Sequence, residues 1–161
     1  MTWDATDVAL LRTLHRDATL GTAELGRLVG LSQPATWRRL KKLRAAGVLT
    51  GTRLDLDERA LGFGVTVFLG IKLATRGPSG GRVSLEDFER AIAAIPEVQR
   101  VDHVLGLYDY RVRVTARDIA DFERVLRRRI MTLPGVGDIE SNVLLSEEVR
   151  EGPLTELAGF R

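Results

Sequence analysis

The stretch SQPATWRRLKKLRAAG, residues 32–47, has the start, the stop and the sidedness of one short helix. Ser32 is a suitable N-cap, because its hydroxyl accepts from the free backbone N–H groups of a first turn. Pro34 falls in that turn, where a missing N–H does no harm. Gly47 is the residue type that ends helices in the left-handed conformation. The stretch therefore predicts a helix that begins after Ser32 and ends at Gly47.

At about 100° per residue, this helix has an apolar side and a cationic side. The apolar side comprises Thr36, Trp37, Leu40, Leu43 and Gly47. The opposite side comprises Pro34, Ala35, Arg38, Lys41, Lys42 and Ala45, with Arg39 on a flank. A cationic face on a lone helix is commonly just a solvated surface, so the context of the helix decides its meaning.

The preceding residues, TAELGRLVGL at 22–31, predict a second short helix with Leu25, Leu28 and Val29 facing inward. That helix ends at Gly30-Leu31, and the basic helix begins at once. Two short helices joined by a tight glycine-containing turn, the second one basic, are typical of a helix-turn-helix. In that motif the second helix enters the DNA major groove with its N-terminal residues nearest the base edges.

Two further elements complete a predicted N-terminal domain of residues 1–57. Trp3–Arg16 predicts an opening helix, with Asp4 as its N-cap and Asp7 as a second carboxylate in the first turn. Val48–Asp57 predicts a small hairpin, or wing. The sequence thus predicts a winged helix-turn-helix domain that binds double-stranded DNA. The predicted DNA contacts are Ser32, Gln33, Pro34, Thr36 and Arg38 on the groove side and Arg39, Lys41, Lys42 and Arg53 on phosphates.

Charge is divided unevenly along the chain. Residues 1–53 carry nine Lys/Arg and four Asp/Glu, a net charge of +5, whereas residues 54–161 carry fifteen and eighteen, a net charge of −3. This division favours a nucleic-acid footprint confined to the N-terminal part. Cysteine is absent, which excludes disulfides and thiolate zinc sites. No apolar run reaches the roughly 18 residues of a membrane span, and no leader is visible, so we expect a soluble, cytoplasmic protein.

After a predicted linker at 58–64, the chain alternates between strand and helix. The segment Asp-Phe-Glu-Arg occurs at 87–90 and again at 121–124, and each copy leads through a helix to a proline and, two residues later, a valine. Two βαβ units in succession predict an α+β, ferredoxin-like βαββαβ domain at 65–149, followed by a tail at 150–161. The predicted strands are Val65–Ala74, Val98–Leu105, Asp109–Thr115 and Val136–Leu145, and the predicted helices are Ser84–Ile95 and Asp118–Leu133.

The predicted packing leaves one sheet face without helices. The second helix has Ile119, Phe122, Leu126 and Ile130 as its expected inner stripe. We expect the bare sheet face to be apolar, which in a soluble protein predicts a partner, most simply a second copy. The residues assigned to that face are Val65, Val67, Leu69, Ile71, Val112 and Val114.

Five short motifs in order make the chain resemble the Lrp/AsnC ("feast/famine") transcription regulators over residues 3–149. They are Trp3-Asp4-x-x-Asp7, Leu25…Val29-Gly30-Leu31-Ser32, Arg39-Leu40-x-x-Leu43…Gly47-Val48-Leu49, Gly106-x-x-Asp109-Tyr110 and Leu133-Pro134-Gly135-Val136. The resemblance implies homodimers that pair through the C-terminal domain, often assembled to octamers, and a small-molecule effector, usually an amino acid. It implies no cofactor. By position, the effector candidates are Gly106, Leu107, Tyr108, Asp109 and Tyr110, with Ser141 on the facing strand.

Two other function classes stay open at this point. Sirohaem decarboxylases use a similar frame, but they carry a His-Asn-Tyr type and an Asn-x-Trp-Phe type stretch. Here the corresponding residues are His103-Val104-Leu105 and Tyr108-Asp109-Tyr110, so neither stretch is present. The other class is a regulator whose helix-turn-helix makes only protein contacts, which the cationic face opposite Leu40 disfavours. We therefore predict a regulator and not an enzyme.

Overall fold

The computed structural model describes residues 3–74 and 84–148, which form two compact units divided after Asp55. No helix of the described residues is both long and apolar enough to cross a membrane. The predicted tail at 150–161 lies outside the described residues. The first unit contains α1 (Ala5–Arg16), α2 (Thr22–Leu28) and α3 (Gln33–Ala45). The second contains β1 (Val65–Leu73), α4 (Leu85–Ala93), β2 (Val98–His103), β3 (Tyr110–Ala116), α5 (Ile119–Val125), a π-helical turn (Leu126–Ile130) and β4 (Val136–Val143).

The predicted start and stop of α3 are confirmed. The Ser32 hydroxyl oxygen accepts from the Ala35 N–H at 3.4 Å. Gly47 ends the helix with φ of +71°, and Gly30 closes the turn between α2 and α3 with φ of +72°. Both angles lie in the left-handed region, which costs glycine little because it has no Cβ. The short helix-turn-helix connection therefore follows from local sequence signals.

Four leucines form the fully or nearly fully buried centre of the first unit: Leu10, Leu25, Leu40 and Leu43. Leu28 and Trp37, both expected inside, are instead 52% and 54% exposed. The reason for Trp37 is angular: Thr36, Leu40 and Leu43 are the buried stripe of α3, and Trp37 lies about 90° from its centre at 100° per residue. The apolar side of α3 is thus narrower than its composition suggested.

The predicted wing at Val48–Asp57 is wrong: among the described residues, 48–57 contains no strand. The first residues of this segment have their backbone donors in use elsewhere. The N–H groups of Val48 and Leu49 both return to the Leu43 carbonyl oxygen, at 3.0 and 3.2 Å. The segment therefore begins as part of the C-terminal cap of α3.

The second unit has the predicted ferredoxin-like arrangement. Its antiparallel sheet has the strand order β2-β3-β1-β4. The repeated Asp-Phe-Glu-Arg segments occupy matching places at the starts of α4 and α5. Ser84 and Asp118 cap these helices, and the side chain of each accepts from the backbone N–H three residues later, Asp87 and Asp121 respectively. The phenylalanines of the two copies, Phe88 and Phe122, are both buried. The internal repeat is therefore a structural repeat.

A π-helical turn shifts the inner stripe of the last helix. The Met131 N–H donates to the Leu126 carbonyl oxygen, five residues back, at 2.8 Å. Phe122 and Ile130 are buried as predicted, Leu126 is partly buried against the core, and Val125 joins them. Ile119, which precedes the π-helical turn, was wrongly expected inside and is 55% exposed. A constant period of 3.6 residues does not foresee a one-residue insertion of this kind.

The expectation of a bare apolar sheet face is wrong. Val67, Leu69, Ile71, Val112 and Val114 are fully buried in one cluster with residues of α4 and α5, and Val65 packs against it. Because strand side chains alternate between the two faces, the face without helices carries their neighbours instead. By register, these neighbours are Thr66, Phe68, Gly70, Lys72, Arg100, Asp102, Arg111, Arg113, Thr115, Glu140 and Asn142.

The predicted linker forms one turn that rests on this polar face. Its Phe63 N–H donates to the Glu58 carbonyl oxygen at 2.8 Å. The Glu58 carboxylate accepts from the hydroxyls of Thr66 and Thr115, each at 3.2 Å, and lies 3.0 Å from Arg113. The open face is thus satisfied in part by polar contacts within the chain.

Candidate DNA-binding and effector sites

The exposed side of α3 combines cations with polar and small residues near its N-terminus. Gln33, Pro34, Arg38, Lys41 and Arg44 are all exposed. Within residues 3–74 and 84–148, none of these three cations has a carboxylate ion pair within 4.0 Å. The geometry leaves a cationic helix surface open to a polyanion.

Two of the predicted DNA contacts have structural duties within the helix. Thr36 has no exposed surface, and its hydroxyl donates to the Ser32 carbonyl oxygen at 3.0 Å. A side chain without exposed surface cannot reach a base edge, so Thr36 is removed from the DNA face. Ser32 is exposed, but its hydroxyl caps α3.

Arg39 lies on the flank of α3 and turns toward the start of α1. Its Nη1 is 2.7 Å from Asp4 Oδ2 and 2.7 Å from Asp7 Oδ1. The two hydrogen bonds raise the pKa of Arg39. The pKa of Asp4 is lowered, first by the Asp7 backbone N–H and then by Arg39. No local pattern announces this contact, because the partners are 35 and 32 residues apart in sequence.

The other two predicted phosphate contacts differ in their surroundings. The Lys42 Nζ lies 3.9 Å from Asp7 Oδ2 and 5.3 Å from the centre of the Trp3 ring. The Lys42 side chain is nevertheless 61% exposed. Arg53 is exposed but stands in the segment that lacks the expected hairpin, so no wing tip presents it.

The predicted effector turn borders an open cleft of about 340 Å³ on the second unit. Apolar, aromatic and polar residues share its lining. The lining residues are Phe68, Leu69, Gly70, Val104, Gly106, Leu107, Tyr108, Tyr110, Arg111 and Asn142. The structure thus brings Gly106, Leu107, Tyr108 and Tyr110 to one cleft.

Tyr108 lies flat over β1 at the one place where that strand has no side chain. A Cβ on Gly70 would overlap the Tyr108 ring. The Tyr108 hydroxyl donates to the Glu140 carboxylate, which in turn accepts from the Asn142 amide at 2.9 Å. The hydrogen bond to Glu140 raises the pKa of Tyr108, and the pKa of Glu140 is lowered mainly by the same bond.

Asp109 fastens the turn to the strand β1. Its Oδ2 accepts from the Leu73 N–H at 2.8 Å, and its own N–H donates to the Ile71 carbonyl oxygen at 3.0 Å. The Lys72 ammonium donates to the Leu107 carbonyl oxygen at 3.2 Å. These contacts give Asp109 a positioning role in the shape of the cleft.

Tyr110 and Ser141 belong to the helix side of the sheet. The Tyr110 hydroxyl donates to Glu89 of α4 at 2.7 Å, and the ring stacks on His103 with centres 4.8 Å apart. Burial, followed by the bond to Glu89, raises the pKa of Tyr110 to about 12. Ser141 pairs with the buried Leu69, so its side chain faces away from Tyr108. Sequence order alone did not separate these two faces.

A helix-turn-helix with an exposed cationic second helix, joined to a ferredoxin-like domain that carries a cleft, defines a DNA-binding regulator with a ligand-binding domain. The sequence matches the AsnC-type helix-turn-helix domain over residues 4–44 and the Lrp/AsnC ligand binding domain over residues 66–154. The chain belongs to the Lrp/AsnC family of transcriptional regulators. Its relatives bear the names of regulators and not of enzymes, which argues against the decarboxylase alternative.

Individual relatives cover nearly the whole chain. The leucine-responsive regulatory protein of Haemophilus influenzae is 32% identical over 92% of this chain and 86% of its own length. The proline dehydrogenase transcriptional activator of Rhodobacter capsulatus is 31% identical over 92% of this chain and 94% of its own length. A transcriptional regulator of Neisseria meningitidis, solved in complex with L-methionine, superposes with a TM-score of 0.84 at 26% identity, covering 92% of this chain and 94% of the other.

Proposed function

We propose that the protein regulates transcription by reading operator DNA with the exposed side of α3. Gln33, Pro34 and Arg38 lie toward the base edges, and Lys41 and Lys42 neutralise phosphates. Arg53 adds a phosphate contact from the segment after α3. The observation that carries this assignment is that Arg38 and Lys41 are exposed and that neither has a carboxylate partner within the described residues. A regulator of this kind works where the chromosome is, so we place it in the cytoplasm.

Arg38→Ala and Lys41→Ala separate base reading from phosphate binding. An arginine that contacts a guanine edge contributes about 1–3 kcal/mol of discrimination between bases. The loss of affinity in Arg38→Ala should therefore be roughly 5- to 150-fold larger for the operator than for random DNA. Lys41→Ala should weaken both duplexes alike and flatten the salt dependence, because phosphate contacts release counterions. Titrations of a footprinted promoter and a scrambled duplex at two salt concentrations measure both. An equal loss on both duplexes for Arg38→Ala contradicts the base-reading role.

We further propose that the cleft beside Gly106–Tyr108 takes an amino acid with an apolar side chain. Leu107, Val104 and Phe68 offer an apolar lining, and Arg111 offers a cation for a carboxylate. The proposal draws support from the Neisseria relative and from a Mycobacterium tuberculosis relative solved with L-methionine (TM-score 0.80, 26% identity, covering 92% of this chain and 95% of the other).

A thermal-shift screen with the twenty amino acids tests this effector proposal. A ligand that binds only the folded state at about 100 times its Kd adds about 2.7 kcal/mol of stability. We expect methionine and leucine to raise the melting temperature and Arg111→Ala to abolish the rise. A screen in which no amino acid raises the melting temperature of the folded protein contradicts the proposal.

We also propose that the protein forms homodimers that assemble to octamers. This proposal rests on the family resemblance and not on an apolar sheet face, since the open face is polar. Sedimentation at micromolar concentration tests it directly. A monomer under those conditions overturns it.

A further inference from the structure

Asp7 is a buried acid within the domain that we propose binds a polyanion. Its side chain is 1% exposed. Burying an ionised carboxylate is costly unless it is paired and hydrogen-bonded. The DNA-binding role gives Asp7 no direct task, because negative charge near α3 opposes phosphate. The residue therefore requires an explanation through its partners.

The partners of Asp7 connect the first turn of α1 to the middle of α3. Asp7 Oδ1 accepts from Arg39 Nη1 at 2.7 Å, and Asp7 Oδ2 accepts from the Asp4 N–H at 3.4 Å. The same Nη1 atom reaches Asp4 Oδ2 at 2.7 Å. One guanidinium nitrogen is thus shared between two carboxylates, in the short charge-assisted geometry that is the stronger kind of hydrogen bond.

The acidic pair divides the cations of α3 into two groups. Arg39 makes two short hydrogen bonds through Nη1 and its side chain is 31% exposed, whereas the Lys42 ammonium lies 3.9 Å from Asp7 Oδ2. Arg38, Lys41 and Arg44 have no carboxylate ion pair within the described residues. Because Arg39 Nη1 is hydrogen-bonded to two carboxylates, moving it to a phosphate would break both bonds. The buried Asp7 would keep only the Asp4 N–H and the loose Lys42 contact, which is costly for a buried charge.

We propose that Asp4 and Asp7 bind Arg39 so that it does not contact DNA phosphate, and that the same bonds hold α3 against α1. We call these three residues, Asp4, Asp7 and Arg39, the Arg39 clamp. Asp7 is the positioning residue of the Arg39 clamp. By keeping Arg39 off phosphate, Asp4 and Asp7 lower the affinity for DNA of any sequence, so base contacts by neighbouring residues supply a larger share of operator affinity. The proposal rests on the proposed reading of DNA by α3. It differs from a purely structural ion pair because it makes a statement about the number of phosphates engaged.

The slope of log affinity against log salt concentration distinguishes the two explanations. If the ion pairs of Arg39 only stabilised the fold, removing them would leave this slope unchanged in the folded protein. Each additional phosphate contact changes that slope by about 0.9, so the drop in affinity between about 50 and 200 mM salt becomes about 3.5-fold larger. The probe is a random-sequence duplex, and the protein is the full chain. Lys41→Gln serves as the matched control, because it removes an exposed cation of the same helix.

We expect Lys41→Gln to flatten the slope by about 0.9 and Arg39→Gln to leave it unchanged. The double variant Asp4→Asn with Asp7→Asn should steepen the slope by up to about the same amount and raise affinity for random duplex more than for operator. Asparagine keeps the N-cap of α1, and circular dichroism identifies the folded variants. If the double variant does not fold, Asp4→Asn alone should steepen the slope by a smaller amount.

The outcomes that overturn the clamp differ from those that overturn DNA reading. If Arg39→Gln flattens the slope as much as Lys41→Gln, Arg39 already binds phosphate and the inference fails. If the folded asparagine variants do not steepen the slope, Arg39 does not bind phosphate even when released, and the inference fails as well. If the wild-type chain binds no duplex, or Lys41→Gln leaves the slope unchanged, the proposed DNA surface of α3 fails instead.

Discussion

The helix-turn-helix unit and the sheet unit are stabilised in different ways. Among the described residues, the first has four buried leucines at its centre, whereas the second has a cluster of thirteen buried residues that includes Phe88, Tyr110 and Phe122. Small cores contribute little on their own. The first unit accordingly depends on a few specific contacts: the capping box of α1, the Arg39 clamp and the close approach at Gly26.

The two units also treat their surface charge differently. Among the described residues, six of the ten arginines of the sheet unit pair with carboxylates, and Arg59, Arg111, Arg117 and Arg128 do not. In the same residues, α3 keeps three cations without such partners. Exposed pairs contribute only about 0–1 kcal/mol each, so their effect is chiefly on the field around the unit. The net charge of −3 over residues 54–161, against +5 over residues 1–53, makes the sheet unit less attractive to DNA than the first unit. The sheet-unit pairs are Arg90–Asp87, Arg100–Asp102, Arg113–Glu58, Arg124–Asp121, Arg127–Glu123 and Arg129–Glu97.

The largest expected effect tests the large core. Phe88 is fully buried, with its ring centre 4.8 Å from that of Tyr110. Phe88→Ala removes a large side chain from a close-packed interior and should cost about 3–5 kcal/mol. Hydrogen exchange of β1 and β3 amides measures the loss. Leu107→Ala, at a residue 72% exposed, is the control and should change stability by less than about 0.5 kcal/mol. A loss below about 1 kcal/mol for Phe88→Ala would contradict the view that the sheet unit is stabilised mainly by its large core.

The next effect tests the close packing of the small unit. A Cβ on Gly26 would lie 2.6 Å from Thr36 Oγ1 and 2.8 Å from the Leu31 carbonyl oxygen. Because the second atom is backbone, Gly26→Ala should force α2 and α3 apart and cost about 1–3 kcal/mol. Amide exchange in α3 reports the change. Gly51→Ala is the control, since nothing lies within 4 Å of the added atom and Gly51 belongs to no helix or strand. Equal stability of the two variants would show that α2 and α3 have room to adjust.

The smallest effect concerns the polar contact at the edge of the large core. The pKa of Tyr110 is raised to about 12, so the folded state favours the neutral phenol. This contribution is present in full below the unfolded pKa of about 10 and is lost as the pH rises toward about 12. Tyr110→Phe should cost about 1 kcal/mol near neutral pH and should make the free energy of unfolding fall less steeply above about pH 10. Chemical unfolding at several pH values measures both. An unchanged alkaline slope in Tyr110→Phe would mean that Tyr110 titrates normally in the folded chain.

Local signals in the sequence predicted the helices, their caps and the order of strands and helices along the chain. Ser32, Gly30 and Gly47 mark the helix-turn-helix, and the repeated Asp-Phe-Glu-Arg segments mark the two βαβ units. Predictions failed where the burial of a residue depended on which other element packs against it. The same alternating strand residues suit either face of a sheet, so their assignment to the open face had no local support.

The candidate sites show the same division. The exposure of Pro34 and Arg38 and the inward direction of Thr36 followed from the helical period, whereas the close contact between Thr36 and Gly26 depended on how α2 and α3 pack. The turn at Gly106–Tyr108 was found from its motif. Its position over Gly70, and the placement of Ser141 on the opposite face, required the strand register.

The sequence by itself determined the order of elements, the ends of the helices and the basic character of one domain, because caps, glycines and charge counts act within a few residues. Tertiary structure decided which cations of α3 are available and which sheet face is covered. These features arise from contacts between residues far apart in the chain, such as Arg39 with Asp7. Such contacts leave no trace in local periodicity, because each partner also has an ordinary role in its own helix.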